Sequence, residues 1–156
     1  MSPQAKPEDA LQQFVRQSNA IERIHRDPTP EEIEAHATFL AAEIVVDLDL
    51  ERFVSVIQPG AVLRDREGLD VRVGSHIAPR GGPEIRNQLQ LLLSYQEEFT
   101  PHAVHLKYET LHPFTDGNGR SGRALWLWMM RDQGLRMAPL GFLQTFYYQT
   151  LQGTRP

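Results

Sequence analysis

The sequence predicts a mostly α-helical single domain that carries one small β-hairpin, and three observations support this. Apolar residues recur at helical spacing along most of the 156-residue chain. A hydroxyl residue followed by proline, the signature of a helix start, occurs at Thr29-Pro30 and at Thr100-Pro101. Strand-like alternation is confined to one stretch around Val71 and Val73. The length is that of one domain, able to bury a core without disulfide or metal staples. There is no cysteine, which excludes disulfides, thiolate zinc sites and thiol nucleophiles.

Taken in order, Leu11, Phe14, Val15 and Ile21 share one side of a helix expected over residues 8–26. Thr29 as hydroxyl cap, Pro30 at the first position and Glu32 at the third begin a second helix, expected to reach about Val46. A shorter helix over about Leu50 to Ile57 is closed by Pro59 and Gly60. Val71, Val73, Gly74 and the breakers from Pro79 to Gly82 predict a hairpin flap over residues 70–82. Helix returns from Pro83 to about Tyr95, and again after Thr100, delivering the chain to His112. The run RALWLWMM is apolar on every face, so a helix from Asn118 to about Asp132 is expected at the centre of the bundle. Gly134 should end it, and a last helix is expected over about Leu140 to Leu151. His102, His105, Trp126 and Trp128 read as structural residues, because nothing near them has a metal-ligand or base-stacking pattern.

Sixteen Lys and Arg against twenty Asp and Glu give a net charge of -4, which lacks the cationic surface of a nucleic-acid binder. Any phosphate binding must be local. No segment approaches the ~20 apolar residues needed to span a bilayer, and the N-terminus has no basic-then-apolar leader. A cytoplasmic protein without a membrane partner is expected; a homo-oligomer is compatible with the sequence.

The densest chemistry lies in HPFTDGNGRSGR, His112 to Arg123. Asp-Gly and Asn-Gly favour hairpin turns, but here a capped helix precedes and an apolar helix follows, so no strands are available to join. Gly117, Gly119 and Gly122 spell GxGxxG, yet the strand that a dinucleotide fold requires before it is absent. A GxxxxGK[ST] loop is absent too. What remains is a glycine loop opening a helix, whose free N–H groups and partial positive charge suit an anion. Arg120 and Arg123, three apart, are expected on one side of the first turns as a cationic clamp for a polyphosphate. Asp116 beside such phosphates calls for a bridging cation, with magnesium the natural choice. His112, as a neutral imidazole, can accept the proton of an attacking hydroxyl. Phe114 is expected to lock the loop by burial.

These residues resemble the signature of the Fic family, HxFx[DE]GNGRxxR, at every specified position: His112, Phe114, Asp116, Gly117, Asn118, Gly119, Arg120 and Arg123. The resemblance extends over about residues 8 to 150 and implies one Fic-type helical domain across 1–156. It further implies transfer of AMP from ATP, with magnesium, to a hydroxyl of a target protein. In that scheme His112 is the catalytic base and Asp116 holds the metal. Gly117, Asn118, Gly119, Arg120 and Arg123 bind the ATP phosphates. The flap residues Val73, Gly74, Ser75, His76 and Ile77 align the target by strand-like pairing. Relatives on the same framework phosphorylate targets, transfer phosphocholine or remove AMP, and an inactive interaction module is the alternative of a different class.

Glu22 is an oddity read from periodicity, because it falls on the same helix face as Phe14, Val15, Ser18 and Ile21. A carboxylate there needs a partner, and an arginine of the anion cradle is the candidate. SNAIE, Ser18 to Glu22, is similar to the family's inhibitory motif [ST]xxxE[GN], which implies that Glu22 pairs with Arg123 and restrains the enzyme. Position 23 departs from that motif: it is Arg rather than Gly or Asn.

Overall fold

The computed structural model describes residues 9–130. Within them run α1 (Ala10–Ile21), α2 (Pro30–Leu40), α3 (Asp47–Ile57), the strands β1 (Arg72–Val73) and β2 (His76–Ile77), α4 (Pro83–Ser94), α5 (Pro101–Leu111) and α6 (Asn118–Met130). The mostly helical prediction holds, with one antiparallel hairpin in which Arg72 faces Ile77 and Val73 faces His76. The helix expected over about Leu140 to Leu151, and the stop at Gly134, lie outside the described residues. No helix among the described residues is long and apolar enough to cross a membrane.

The central position of α6 follows from its composition. Ser121 to Trp128 are buried without interruption, as a helix apolar on every face requires. α5 lies along α6, α2 along α3, and α1 is laid across α2 and α6. The main core joins Phe39, Leu50, Phe53, Leu89, Val104, Tyr108, Phe114 and Leu125, among others. A smaller cluster of Phe14, Trp126 and Leu127 fastens α1 to α6. The structural reading of two residues holds: Trp128 Nε1 donates to the Ala42 carbonyl at 2.8 Å, and His105 Nδ1 bonds the Gly122 carbonyl at 3.1 Å.

Helix starts match the sequence signals more closely than helix ends do. Thr29 and Glu32 form the reciprocal capping box, with Glu32 N–H on Thr29 Oγ1 at 3.1 Å and Thr29 N–H on Glu32 Oε1 at 2.8 Å. Thr100 Oγ1 accepts from Ala103 N–H. By contrast, α2 stops at Leu40 rather than near Val46, and α3 begins at Asp47, not at Leu50. The Ala42 carbonyl is taken by the Trp128 indole, and the Asp49 carboxylate receives Val46 N–H at 2.9 Å, so a new helix is capped where the old one was expected to continue.

The range 8–26 for the first helix also needs correction. Its N-cap is Asp9, whose Oδ1 accepts from Gln12 N–H, and the helix closes at Glu22. Arg23 turns left-handed, at φ 62°. Arg23 N–H reaches the Ala20 carbonyl (2.9 Å) and Ile24 N–H the Asn19 carbonyl (3.0 Å), the crossed pair that closes a helix around a left-handed residue. Position 23, where the related motif has Gly or Asn, is therefore the position whose backbone favours Gly or Asn.

Candidate active site

His112 ends α5 in the left-handed region, at φ 50°. This bend brings the chain back beneath the loop before the flap. Thr115 N–H bonds the Val62 carbonyl (2.9 Å), Val62 N–H bonds Thr115 Oγ1 (3.0 Å), and Leu63 bridges Phe114. Phe114 is buried at 1% exposure, the lock expected of it. Asn118 staples the loop from the other side, its Oδ1 accepting from Phe114 N–H and its Nδ2 donating to the Phe114 carbonyl, both at 2.8 Å. Both ends of that side chain are thus engaged, leaving only its main chain to meet an anion.

The loop and the first turn of α6 open into a cleft of about 350 Å³, lined by His112, Thr115 to Arg120, Glu22 and the flap residues Val71, Arg72 and Val73. Burial holds the His112 imidazole below the ordinary histidine range, only partly offset by its hydrogen bond to the Glu109 carbonyl; Arg64 and His76 push the same way, and Asp116 opposes them. A neutral ring anchored on one side and facing a cleft on the other is suited to accept a proton.

The two motif arginines do not form the clamp on one side that their spacing predicts. Arg120 Nη1 donates to the Ile57 carbonyl at 2.9 Å and its Nη2 bonds Gln58 Oε1, at the C-terminal end of α3. Arg123 is drawn the opposite way, to α1. Its Nε donates to Ser18 Oγ (2.9 Å), and its Nη2 to the Ser18 carbonyl (3.0 Å) and to Glu22 Oε1 (2.8 Å). Each guanidinium follows the acceptors at the end of a neighbouring helix, where carbonyls lack partners inside their own helix. The expected Glu22 to Arg123 ion pair is therefore present, with Arg123 6% and Glu22 39% exposed at their side chains. A Cβ at Gly119 would collide with Glu22 Oε1, so the carboxylate lies against the first turn of α6, where an anion is favoured.

The Fic/DOC family model matches residues 48–130, more than half of the chain and including the whole motif. The chain belongs to the Fic/DOC family. Its fold is similar to the crystal structure of a Fic family protein from Desulfovibrio desulfuricans G20, with a TM-score of 0.65 and 21% identity over 90% of this chain. The match covers 54% of that protein, so the chain spans about half the length of the structure it resembles. Fic proteins are typically transferases of phosphoryl-containing groups.

Against this Fic frame, the flap prediction divides. β1 and β2 fall where expected, but it is Val71, Arg72 and Val73 that line the cleft, whereas Gly74, Ser75, His76 and Ile77 do not. His76 instead ties the flap to the protein body, its Nε2 bonding the Thr110 carbonyl at 3.0 Å. Asp116 is exposed at the cleft, with Oδ1 accepting from Gly117 N–H at 2.8 Å. Among the described residues no group of three or more His, Asp or Glu could hold a metal alone. A single open carboxylate beside an anion cradle fits magnesium, which keeps waters and takes phosphate oxygens as its remaining ligands.

Sequence reasoning misses two residues. Arg64 is fully buried behind His112, and Asn19 Nδ2 bonds Glu32 Oε2 at 3.2 Å where Arg26 also reaches that carboxylate, anchoring the end of α1 to the start of α2. Arg64 lies in no motif, Asn19 falls at an unspecified position of the SNAIE segment, and the Asn19 contact depends on a tertiary neighbour. Behind Arg123, burial drives Glu109 up to about 8 and His105 down to about 3, so their approach at 3.7 Å is between neutral groups, not an ion pair.

Proposed function

We propose that this protein transfers AMP from ATP to a hydroxyl of a target protein and is held in check by Glu22. The observation that carries the reading is the position of the Glu22 carboxylate: bonded to Arg123 and lying on the first turn of α6, it takes the place of an anionic group in the motif cradle. A site that binds its own carboxylate in this way is built for phosphate. Gly117 and Gly119, the main-chain N–H of Asn118, and Arg123 once freed, bind the triphosphate; Arg120 adds positive charge from the floor. Asp116 would hold magnesium, which neutralises phosphate charge and orients the chain of phosphates. The target hydroxyl, presented along β1, attacks the α-phosphorus of ATP. Its oxygen forms the new bond to phosphorus as the bond to the β-phosphate bridging oxygen breaks, pyrophosphate leaves, and the proton passes to the His112 imidazole. Kinase chemistry is the competing outcome on the same fold.

The test is ATP labelled separately at the α- and γ-phosphates, with the chain and the Glu22→Gly variant. Label from the α position on protein, increased about tenfold by Glu22→Gly, is expected, since losing ~1.4 kcal/mol of competing contact changes an equilibrium by that factor. Label from the γ position would instead mean phosphorylation, and no label in either form would remove the transferase reading. His112→Ala should abolish labelling with an unchanged melting profile.

A further inference from the structure

Arg64 is 0% exposed, and its guanidinium bonds only main-chain carbonyls: Nε to His112 (2.6 Å), Nη2 to Leu111 (2.9 Å), and Nη1 to Pro79 (2.7 Å) and Leu69 (3.0 Å). Its own main chain continues the pattern, with N–H on the Pro113 carbonyl (2.8 Å) and its carbonyl accepting from Gly82 N–H (2.9 Å). Two of the four carbonyls, Leu111 and His112, are orphan acceptors at the end of α5, where the helix dipole favours a cation. The other two, Leu69 and Pro79, lie on either side of the paired strands of the flap. Between them the neck is closed by Gly81, whose N–H bonds Asp70 Oδ1 (2.8 Å) and where a Cβ would stand 2.5 Å from the Leu69 carbonyl oxygen. One planar fork therefore spans the flap neck and the peptide of His112. Planarity matters here, because a guanidinium presents its donors in fixed directions and an ammonium does not.

We propose that Arg64 is the positioning residue of this site: it holds the His112 peptide in its left-handed turn and fixes the distance from the flap, which receives the target, to the imidazole. The proposal rests on the reading of His112 as the base. Proton transfer needs the hydroxyl within about 3 Å of the ring, and small misplacements of a reacting group lower rates by orders of magnitude. The flap and the histidine are far apart in sequence, and the Arg64 fork joins them directly, with His76 to Thr110 as a second tie on the flap's outer strand.

The test is Arg64→Lys in the Glu22→Gly background, which keeps the buried cation and removes the fork. Expected are a cooperative melt, ATP affinity within about twofold of the parent, and a rate at saturating ATP lowered about tenfold or more. The imidazole NMR signals of His112 should shift while those of the buried His36 and His105 stay in place, a selectivity that a general loosening of the core would not give. Unmoved His112 signals, movement of all three histidines, or a rate that falls only as far as ATP affinity does would overturn the proposal. If neither protein transfers any label, the AMP-transfer reading fails and the NMR signals alone decide the role of Arg64. Should Arg64→Lys not fold, the unmodified chain decides: the Arg64 Nε–H is expected to resist solvent exchange, and exchange as fast as that of a surface arginine would exclude the fork.

Discussion

Two arginines, Arg64 behind His112 and Arg123 at the end of the motif, are both buried and both make several hydrogen bonds, yet their partners differ in kind. Arg64 is held by four main-chain carbonyls, two at the end of α5 and two at the neck of the flap. Arg123 is held by Ser18 and by Glu22, which hangs from the end of α1 with 39% of its side chain exposed. The contrast separates a main-chain fixture from a side-chain contact, and under the proposed function the second is the one that an ATP phosphate displaces. A carbonyl is part of the fold it stabilises, whereas the Glu22 carboxylate sits at a helix end, partly open to solvent.

The strongest challenge to this contrast is a substitution at Arg64. Arg64→Met would take the donor from four main-chain carbonyls, of which that of Leu111 lies in a buried bond and the other three in part-buried ones, so a loss of about 1–3 kcal/mol is expected in chemical denaturation. A loss no greater than that of a surface substitution would show that the fork is dispensable. Ser18→Ala removes one bond to Arg123 and leaves Glu22 in place, so basal labelling should rise by less than with Glu22→Gly; about 1 kcal/mol is the scale for one such bond. Equal or greater activation would mean that Ser18, not the carboxylate, carries the restraint.

The anchor of α1 tests the exchangeable side through pH. Burial alone would raise the Glu32 pKa, but bonds from Arg26 and Thr29 outweigh it and hold the carboxyl at about 2, below its ordinary 4.5. The folded-state value is depressed, so the stability it contributes is present above pH about 4.5 and is lost as pH falls toward 2. Thermal midpoints should decline across that window in the unmodified protein and less steeply in Glu32→Gln; parallel curves would remove Glu32 from the account. A slighter change is expected at Arg23, whose left-handed backbone carries a strain of about 1 kcal/mol, offset in part by the greater freedom of glycine when unfolded. Arg23→Gly should raise Tm slightly and lower basal labelling about two- to fivefold by firming the helix end that carries Glu22. Increased labelling would mean that the left-handed turn does not govern the restraint.

Signals that are local in the chain are legible from the residues alone. The capping box at Thr29, Pro30 and Glu32 needs only three neighbouring residues, and the buried centre of α6 needs only its own composition. The motif announces an anion cradle and the position of its histidine. Helical periodicity also puts the Glu22 carboxylate on a packed face and calls for a cation from the cradle, but that the cation is Arg123 is implied only by the resemblance of SNAIE to the family's inhibitory motif. Helix ends are less legible: Ala42 and Arg23 carry no stop signal, and their carbonyl and backbone partners come from distant or non-repeating segments. The divergence of Arg120 and Arg123 is hidden for the same reason, since a spacing of three fixes where side chains leave a helix but not which neighbour attracts them.

The helical class, the proline-marked starts of α2, α4 and α5, the flap and the chemical groups gathered at His112 to Arg123 are all written in the amino-acid sequence, because each depends on propensity, periodicity or capping within a few residues. Packing adds what the sequence leaves open: one arginine turns to α3 and the other to α1, Asn118 staples the loop with its side chain, and Arg64 bridges the flap to the histidine. Those outcomes depend on which unpaired carbonyls and carboxylates the packed helices bring within hydrogen-bonding distance, and that is set by contacts between residues remote in the chain.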